Sequence, residues 1–256
     1  MLLTPWPWAF AVGLVFVAVS TSALCFGFRV GPPGPVFFVL AYGLASNVTA
    51  VVGGVRVGDP LVFLAAMCGG SLFAYALAIL PVVLPSQRQL PTRPLRELFP
   101  GPWFGSEELI LIARIAFASA AGTAVSLIWL DQVHAYWTVC ASIAVVGLVG
   151  GRRFSLQRGL HRMVGTFIGA LAFMLIAPVV AYPLLLAVLI GALQFAIELV
   201  VVRNYALALA MITPLVLLIT TSVSTNSDFV ASALERVVDT VVGAVLAIAT
   251  ALFHRR

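Results

Sequence analysis

The sequence predicts an all-α fold: a polytopic integral membrane bundle of about nine transmembrane helices, N-terminus outside and C-terminus inside, with an inverted 3+3 repeat in the last six. Three observations carry this prediction. Of 256 residues, 62% are hydrophobic and 9% charged, against about 25% charged in an ordinary soluble domain, and mean hydropathy is +1.13. Nine apolar runs are each of the length needed to cross about 30 Å of hydrocarbon as a helix. One octet, RMVGTFIG at 162–169, returns loosely as RVVDTVVG at 236–243.

The runs fall at about 7–28, 34–54, 60–84, 109–130, 134–150, 160–180, 182–202, 205–224 and 230–253. They show no period-2 alternation, and an open strand would leave backbone groups unsatisfied in lipid, so helices are the required form. Breaker residues separate them, as in GPPGP at 31–35, GVRVGDP at 54–60, PVVAYP at 178–183 and RNY at 203–205. The opening MLLTPWPWAF has no basic n-region and no A-x-A-like cleavage site, so it reads as the start of a retained span.

Arginine sets the orientation. All 14 basic residues are arginine. With nine alternating crossings and the C-terminus inside, the inner ends hold Arg29, Arg88, Arg93, Arg96, Arg114, Arg152, Arg153, Arg158, Arg162, Arg203, Arg255 and Arg256. The outer ends hold Arg56 and Arg236, so the positive-inside rule selects this arrangement. The same clustering makes nucleic-acid binding the wrong reading of the basic charge. Residues 86–108 carry four prolines and three arginines and read as a cytoplasmic linker between a three-helix segment, 1–85, and a six-helix domain, 109–256.

The two octets align as Arg162, Val164, Thr166 and Gly169 against Arg236, Val238, Thr240 and Gly243, three spans apart, so they run oppositely through the bilayer. Tyr136 and Tyr205 echo the same spacing. Gly165 and Gly169, and Gly243 with Ala247, form small-residue faces that admit a neighbouring helix. Thr166 and Thr240 can bond their own preceding carbonyls or a neighbouring helix, and Arg162 and Arg236 lie within a turn of the span ends, where they can snorkel.

Other polar residues in the spans are candidates for a substrate pathway. Asp239 falls three residues after Arg236 and reads either as an intrahelical pair or as a proton-linked or substrate-facing group. Gln194 and Glu198 share one face, with Arg203 a turn beyond. Pro214, after Thr213, deletes a backbone hydrogen bond in mid-span. Arg158 and Arg162 would form a cytoplasmic mouth that concentrates an anion. Cys25, Cys68 and Cys140 are assigned no redox role. His134, His161 and His254 show no metal-ligand spacing, and no catalytic set, cofactor motif or metal motif is visible.

Three stretches in one order, HAYWTVCASIAVVGLVGGRRFSLQRGLHRMVGTFIGA (134–170), NYALALAMITPLV (204–216) and RVVDTVVGAVLA (236–247), resemble the membrane module of the fusaric acid resistance (FUSC) family. That family includes aromatic carboxylic acid exporters and is distantly related to plant aluminium-activated malate transporters. The resemblance covers about 109–253 and implies a six-helix module that moves small organic anions across the cytoplasmic membrane. Its pattern falls on Tyr136, Trp137, Gln157, Arg158, Arg162, Gly165, Thr166, Gly169, Asn204, Tyr205, Thr213, Pro214, Arg236, Thr240 and Gly243. Relatives commonly carry two six-helix modules, so three leading spans suggest the remnant of a first one. That leaves two function classes open: an efflux-type transporter working on its own or as a homodimer, and a non-transporting scaffold or accessory subunit completed by a partner membrane protein.

Overall fold

The structure, a computed structural model, describes residues 6–30, 34–52, 54–83, 94, 97, 101–130, 132–146, 152–223 and 228–251. Nine α-helices lie among them: α1 Pro7–Gly27, α2 Val36–Val48, α3 Pro60–Ile79, α4 Ser106–Trp129, α5 Ala135–Val146, α6 Arg152–Ile176, α7 Pro183–Val200, α8 Tyr205–Val223 and α9 Phe229–Ala251. Six of these, α1, α3, α4, α6, α7 and α8, are long and apolar enough to cross a membrane. The other three differ in length or charge: α2 and α5 are shorter apolar helices, and α9 carries Glu235, Arg236 and Asp239. The departure from all-α is a two-stranded ribbon, β1 Val51–Val52 against β2 Val55–Arg56, turned at Gly54 with φ +82°. Most of the arginine-rich stretch 84–100, together with Asp131, His254, Arg255 and Arg256, lies outside the described residues.

Helix α5 is the centre of the bundle, buried at every residue from Ala135 to Val146. Neighbours reach it through small residues. At Gly43 of α2 a Cβ would lie 2.1 Å from the Tyr136 ring, and at Gly243 of α9 it would lie 2.3 Å from the Thr138 carbonyl oxygen. Helix α1 packs on α4 with a stripe of Phe10, Leu14, Ala18 and Ser22, spaced four residues apart as one helical face. Its C-terminal carbonyl at Gly27 accepts the Trp103 amide at 2.8 Å, so GPWFG at 101–105 seats on the end of α1. The leading helices and the later ones share one hydrophobic core.

Contacts fix the relative directions of the later helices. Helices α5 and α9 run parallel: Thr138 contacts Asp239 and Ser142 contacts Gly243, both 101 residues apart. Helices α6 and α8 are also parallel, with Arg162 on Tyr205, Gly165 against Ala206 and Leu209, and Gly169 against Ala210 and Thr213. Helix α6 crosses α9 antiparallel, since Gly159 abuts Ile248 while Phe173 meets Phe229 edge-on at 6.0 Å. That register sets Thr166 and Thr240 level at the crossing, with Arg162 and Arg236 one turn to either side.

The periphery is thinly packed. Helix α3 has no buried residue and α7 buries only Ile197. Local chemistry still fixes their starts. Asp59 Oδ1 caps α3 by accepting the Leu61 amide at 2.8 Å, and Asp228 Oδ1 caps α9 by accepting from Val230 and Ala231 at 3.0 Å. Pro60 and Pro183 occupy first-turn positions, where no amide is needed.

These approaches make the glycines unequal. Gly243→Leu should destabilise the fold by about 1–3 kcal/mol through overpacking, read as a lowered Tm in detergent, whereas Gly191→Leu, with nothing within 4 Å of its Cβ position, should leave the Tm unchanged. Equal losses at both positions would contradict this packing.

Candidate functional site

Arg162 and Arg236 do not snorkel. Their side chains are 5% and 4% exposed. The expectation placed Arg162 near a span end, but α6 starts at Arg152, about 15 Å back along the axis at 1.5 Å per residue. Arg236 lies about 10 Å into α9. The two guanidinium groups are close enough for their charges to interact, and Arg236 also feels Cys140, Tyr136 and Asp239.

Aromatic residues from the facing helix hold each arginine. The Arg236 guanidinium lies over the Trp137 ring at 5.0 Å, a cation–π contact strengthened by exclusion of water. Trp137 in turn stacks on His134 at 4.1 Å. Arg162 Nη1 donates to the Tyr205 hydroxyl at 3.2 Å. Arg158, half-buried, sits over the Tyr205 ring at 4.3 Å and donates through Nε to the Ala144 carbonyl at 2.7 Å. Tyr136 is fully buried and accepts from Asn47 Nδ2 at 3.2 Å.

Among the described residues, the buried Arg236 Nε and Nη1 and Arg162 Nε lack hydrogen-bond partners. Leaving a buried donor unmade costs about 1–3 kcal/mol, more when it is charged. These three are guanidinium N–H groups; the Thr240 hydroxyl near them also has no partner among the described residues. Such a set suits an anion: a carboxylate presents four lone-pair sites and accepts two guanidinium forks.

A second polar cluster adjoins it. Asp239, 3% exposed, accepts from Thr138 Oγ1 at 2.7 Å, and that hydroxyl lies 3.1 Å from Ser126 Oγ. Among the alternatives for Asp239, Thr138 supplies a contact that sequence spacing did not show. His134 Nδ1 lies 3.3 Å from Glu235 Oε2 at the more open end. At the other end Arg114 Nε donates to Thr250 Oγ1 at 3.2 Å. Arg114 was read from the sequence as a topology charge, yet it is 7% exposed. No local signal in the sequence marks that burial; it follows from the contact of α4 with α9.

The remaining candidates divide. Thr166 and Thr240 are buried at the α6–α9 crossing, but Thr240 Oγ1 has no partner, so the expected bond to its own helix is absent there. Gly165, Gly169, Gly243 and Ala247 are packing positions, as their spacing indicated. Gln194 Nε2 bonds Glu198 Oε1 at 2.8 Å, but this pair is exposed on α7, away from the arginines. Thr213 Oγ1 donates to the Leu209 carbonyl. Helix α8 runs unbroken through Pro214. The carbonyl freed four residues earlier, at Ala210, would lie 2.8 Å from a Cβ on Gly169, so the close approach of α6 shields it in place of a broken helix. A cleft of about 280 Å³ lies at the Thr21, Cys25, Phe28 and Phe38 side chains of α1 and α2. It is apolar and contains no cation. Among the described residues no group of His, Cys, Asp and Glu could hold a metal ion.

Comparison with known proteins places these helices. The chain is 34% identical over 152 residues to an uncharacterized membrane protein, YvaC, of Bacillus subtilis (strain 168). The aligned stretch is 58% of this chain and 22% of that protein, so the chain spans about a fifth of its relative's length. No solved structure matches. The profile of the fusaric acid resistance protein-like family covers residues 117–250, from α4 through α9 and both arginine sites. With more than half of its length matched, the chain belongs to the fusaric acid resistance protein-like family.

Proposed function

We propose that this chain is a membrane transporter of the efflux type for small organic anions, aromatic carboxylates foremost, and that the anion is held between Arg162 and Arg236. One observation carries the reading: two like charges, both buried and mutually repelling, keep unused N–H donors inside the bundle. A charge at the bilayer centre costs at least about 2.5–3.5 kcal/mol. Packing gives no reason to retain a pair, whereas a carboxylate neutralises both and completes their hydrogen bonds. Trp137, lying against Arg236, offers a π-face to an aromatic substrate. Arg158 positions Tyr205 and, through it, Arg162.

The inverted repeat belongs to this reading. Matching Tyr136 to Tyr205 and Gly169 to Gly243 carries the Ser142–Gly243 contact onto Met211–Gly169. Gly169 indeed packs against Ala210 and Thr213, on either side of Met211. The same mapping carries Thr138–Asp239 onto Leu207–Gly165, and Gly165 packs against Ala206 and Leu209. Two triplets, α4–α6 and α7–α9, would then rock about Thr166 and Thr240 to present the anion to alternate faces. The proposed frame is N-out and C-in in the cytoplasmic membrane, with residues 1–85 as a three-helix membrane segment, 86–108 as a cytoplasmic linker and 109–256 as the transport domain.

A second reading, a scaffold or accessory subunit completed by a partner or a second copy, draws on α3 and α7. The Gln194–Glu198 pair faces outward on α7, and a carboxylate turned to lipid is costly. Co-purification of a stable membrane partner, together with no flux from the chain alone in liposomes, would favour this reading.

Counterflow of labelled phthalate and 4-hydroxybenzoate in proteoliposomes tests the transporter. Arg162→Met should reduce exchange about tenfold or more, the loss of one charged hydrogen bond, with a Tm equal to or above the parent because a buried unsatisfied cation is gone. Unchanged exchange would remove Arg162 from the site. For the frame, in a background without native cysteines, Val57→Cys should label from outside intact cells and Val202→Cys only after permeabilisation. The reverse pattern would invert the topology.

A further inference from the structure

Helices α3 and α7 carry polar side chains on faces that the bundle leaves uncovered. On α7 one such face is the line Leu184, Ala187, Gly191, Gln194 and Glu198, exposed at every position. On α3, which buries no residue, the line Leu64, Cys68, Ser71, Tyr75 and Ala78 has the same form. Alternating steps of three and four residues keep each line on one side of its helix, the spacing by which two helices pack along a seam. Depth matches as well. Ser71 and Tyr75 stand 11 and 15 residues past Pro60, and Gln194 and Glu198 stand 11 and 15 past Pro183, each proline in the first turn of its helix. At 1.5 Å per residue these positions are about 16 and 22 Å from either helix start, so Gln194 lies well within a hydrocarbon core of about 30 Å. In the alternating frame proposed above, α3 and α7 run in the same direction, which sets the two pairs level.

The two pairs are complementary in chemistry. Gln194 Nε2 already donates to Glu198 Oε1 at 2.8 Å, so what remains on α7 is chiefly acceptor capacity, at Gln194 Oε1 and Glu198 Oε2. Ser71 and Tyr75 offer hydroxyl donors at the same height. Against lipid, the carboxamide and the carboxylate forfeit hydrogen bonds that water would supply; a helix bearing two hydroxyls restores them. One turn before the polar pair, nothing lies within 4 Å of a Cβ placed on Gly191, so a neighbouring backbone can come close there.

We propose that α7 of one copy is covered by α3 of a second copy of this chain, in a two-fold dimer where Ser71 donates to Gln194 and Tyr75 to Glu198 across each of two equivalent contacts. Within one chain α7 rests on α8 and α3 on α2, and α8 touches α2. A two-fold axis beside α2 and α8 therefore joins α3 to α7 twice, once on either side. Pairing α7 with α7 would instead set Glu198 opposite Glu198, two like charges at one depth. The exposed polar pair of α7 and the bare surface of α3 are then two halves of one interface.

The test measures assembly rather than flux, so its outcome is independent of whether the chain transports. Two differently tagged full-length chains without native cysteines are co-expressed, one with Ser71→Cys and the other with Gln194→Cys, and the membranes are oxidised. A disulfide-linked pair carrying both tags is expected, whereas Ala66→Cys, on the far side of α3, should give none with Gln194→Cys. In bilayers, energy transfer between labelled copies should show a dimer, and Ser71→Ala with Tyr75→Phe should raise its dissociation constant about tenfold or more. Four outcomes overturn the proposal: Gln194→Cys linking to itself between copies, a link inside one chain that carries both cysteines, equal linking from Ala66→Cys, and chains that stay monomeric in bilayers. Capture of a different membrane protein at Gln194→Cys, in place of a second copy, overturns it as well.

Discussion

Two guanidinium groups within range of each other's charge, enclosed by protein and shielded from water, are the constraint around which this molecule is arranged. Both are covered by neighbouring helices, at 5% and 4% exposure. Their repulsion is only tolerable where aromatic faces, hydroxyls and a carboxylate surround them. Trp137 and Tyr136 do this for Arg236, and Tyr205 for Arg162. That enclosure needs helices close together, which explains why α6 and α9 bring glycine to the contact rather than a larger residue. The octet with its arginine, glycine and threonine thus combines a charge with the small surface that permits its burial.

Membership of the fusaric acid resistance protein-like family and the helical bundle were both legible in the sequence, because both rest on local signals. Apolar runs bounded by proline and glycine mark helices whatever they pack against, and the octets mark close approach. Gly165, Gly169 and Gly243 lie at close helix approaches. The caps at Asp59 and Asp228, whose carboxylates accept helix amides, were missed.

What could not be read was how deep a charge sits. An apolar window begins where polarity ends, so the span at 160–180 left Arg158 and Arg162 near its edge, although the helix had started at Arg152. Depth depends on the antiparallel register of α6 against α9, a long-range contact without a local signal. The same limit hid Arg114 and joined Thr138 to Asp239 across 101 residues. Pro214 misled for the opposite reason. A proline in mid-span suggests a broken helix, but the freed carbonyl of Ala210 is covered by Gly169 from the neighbouring helix, and α8 stays whole. The exposed Gln194–Glu198 pair, grouped by sequence with the pathway, faces away from it.

The most direct measurement is a solved structure of the protein with 4-iodobenzoate, the iodine located by its anomalous signal. The account predicts density between α6 and α9, with the carboxylate in contact with the Arg162 and Arg236 guanidinium groups and the ring against Trp137. Iodine confined to the apolar cleft at Thr21 and Phe28, with both arginines still enclosed and untouched, would contradict it.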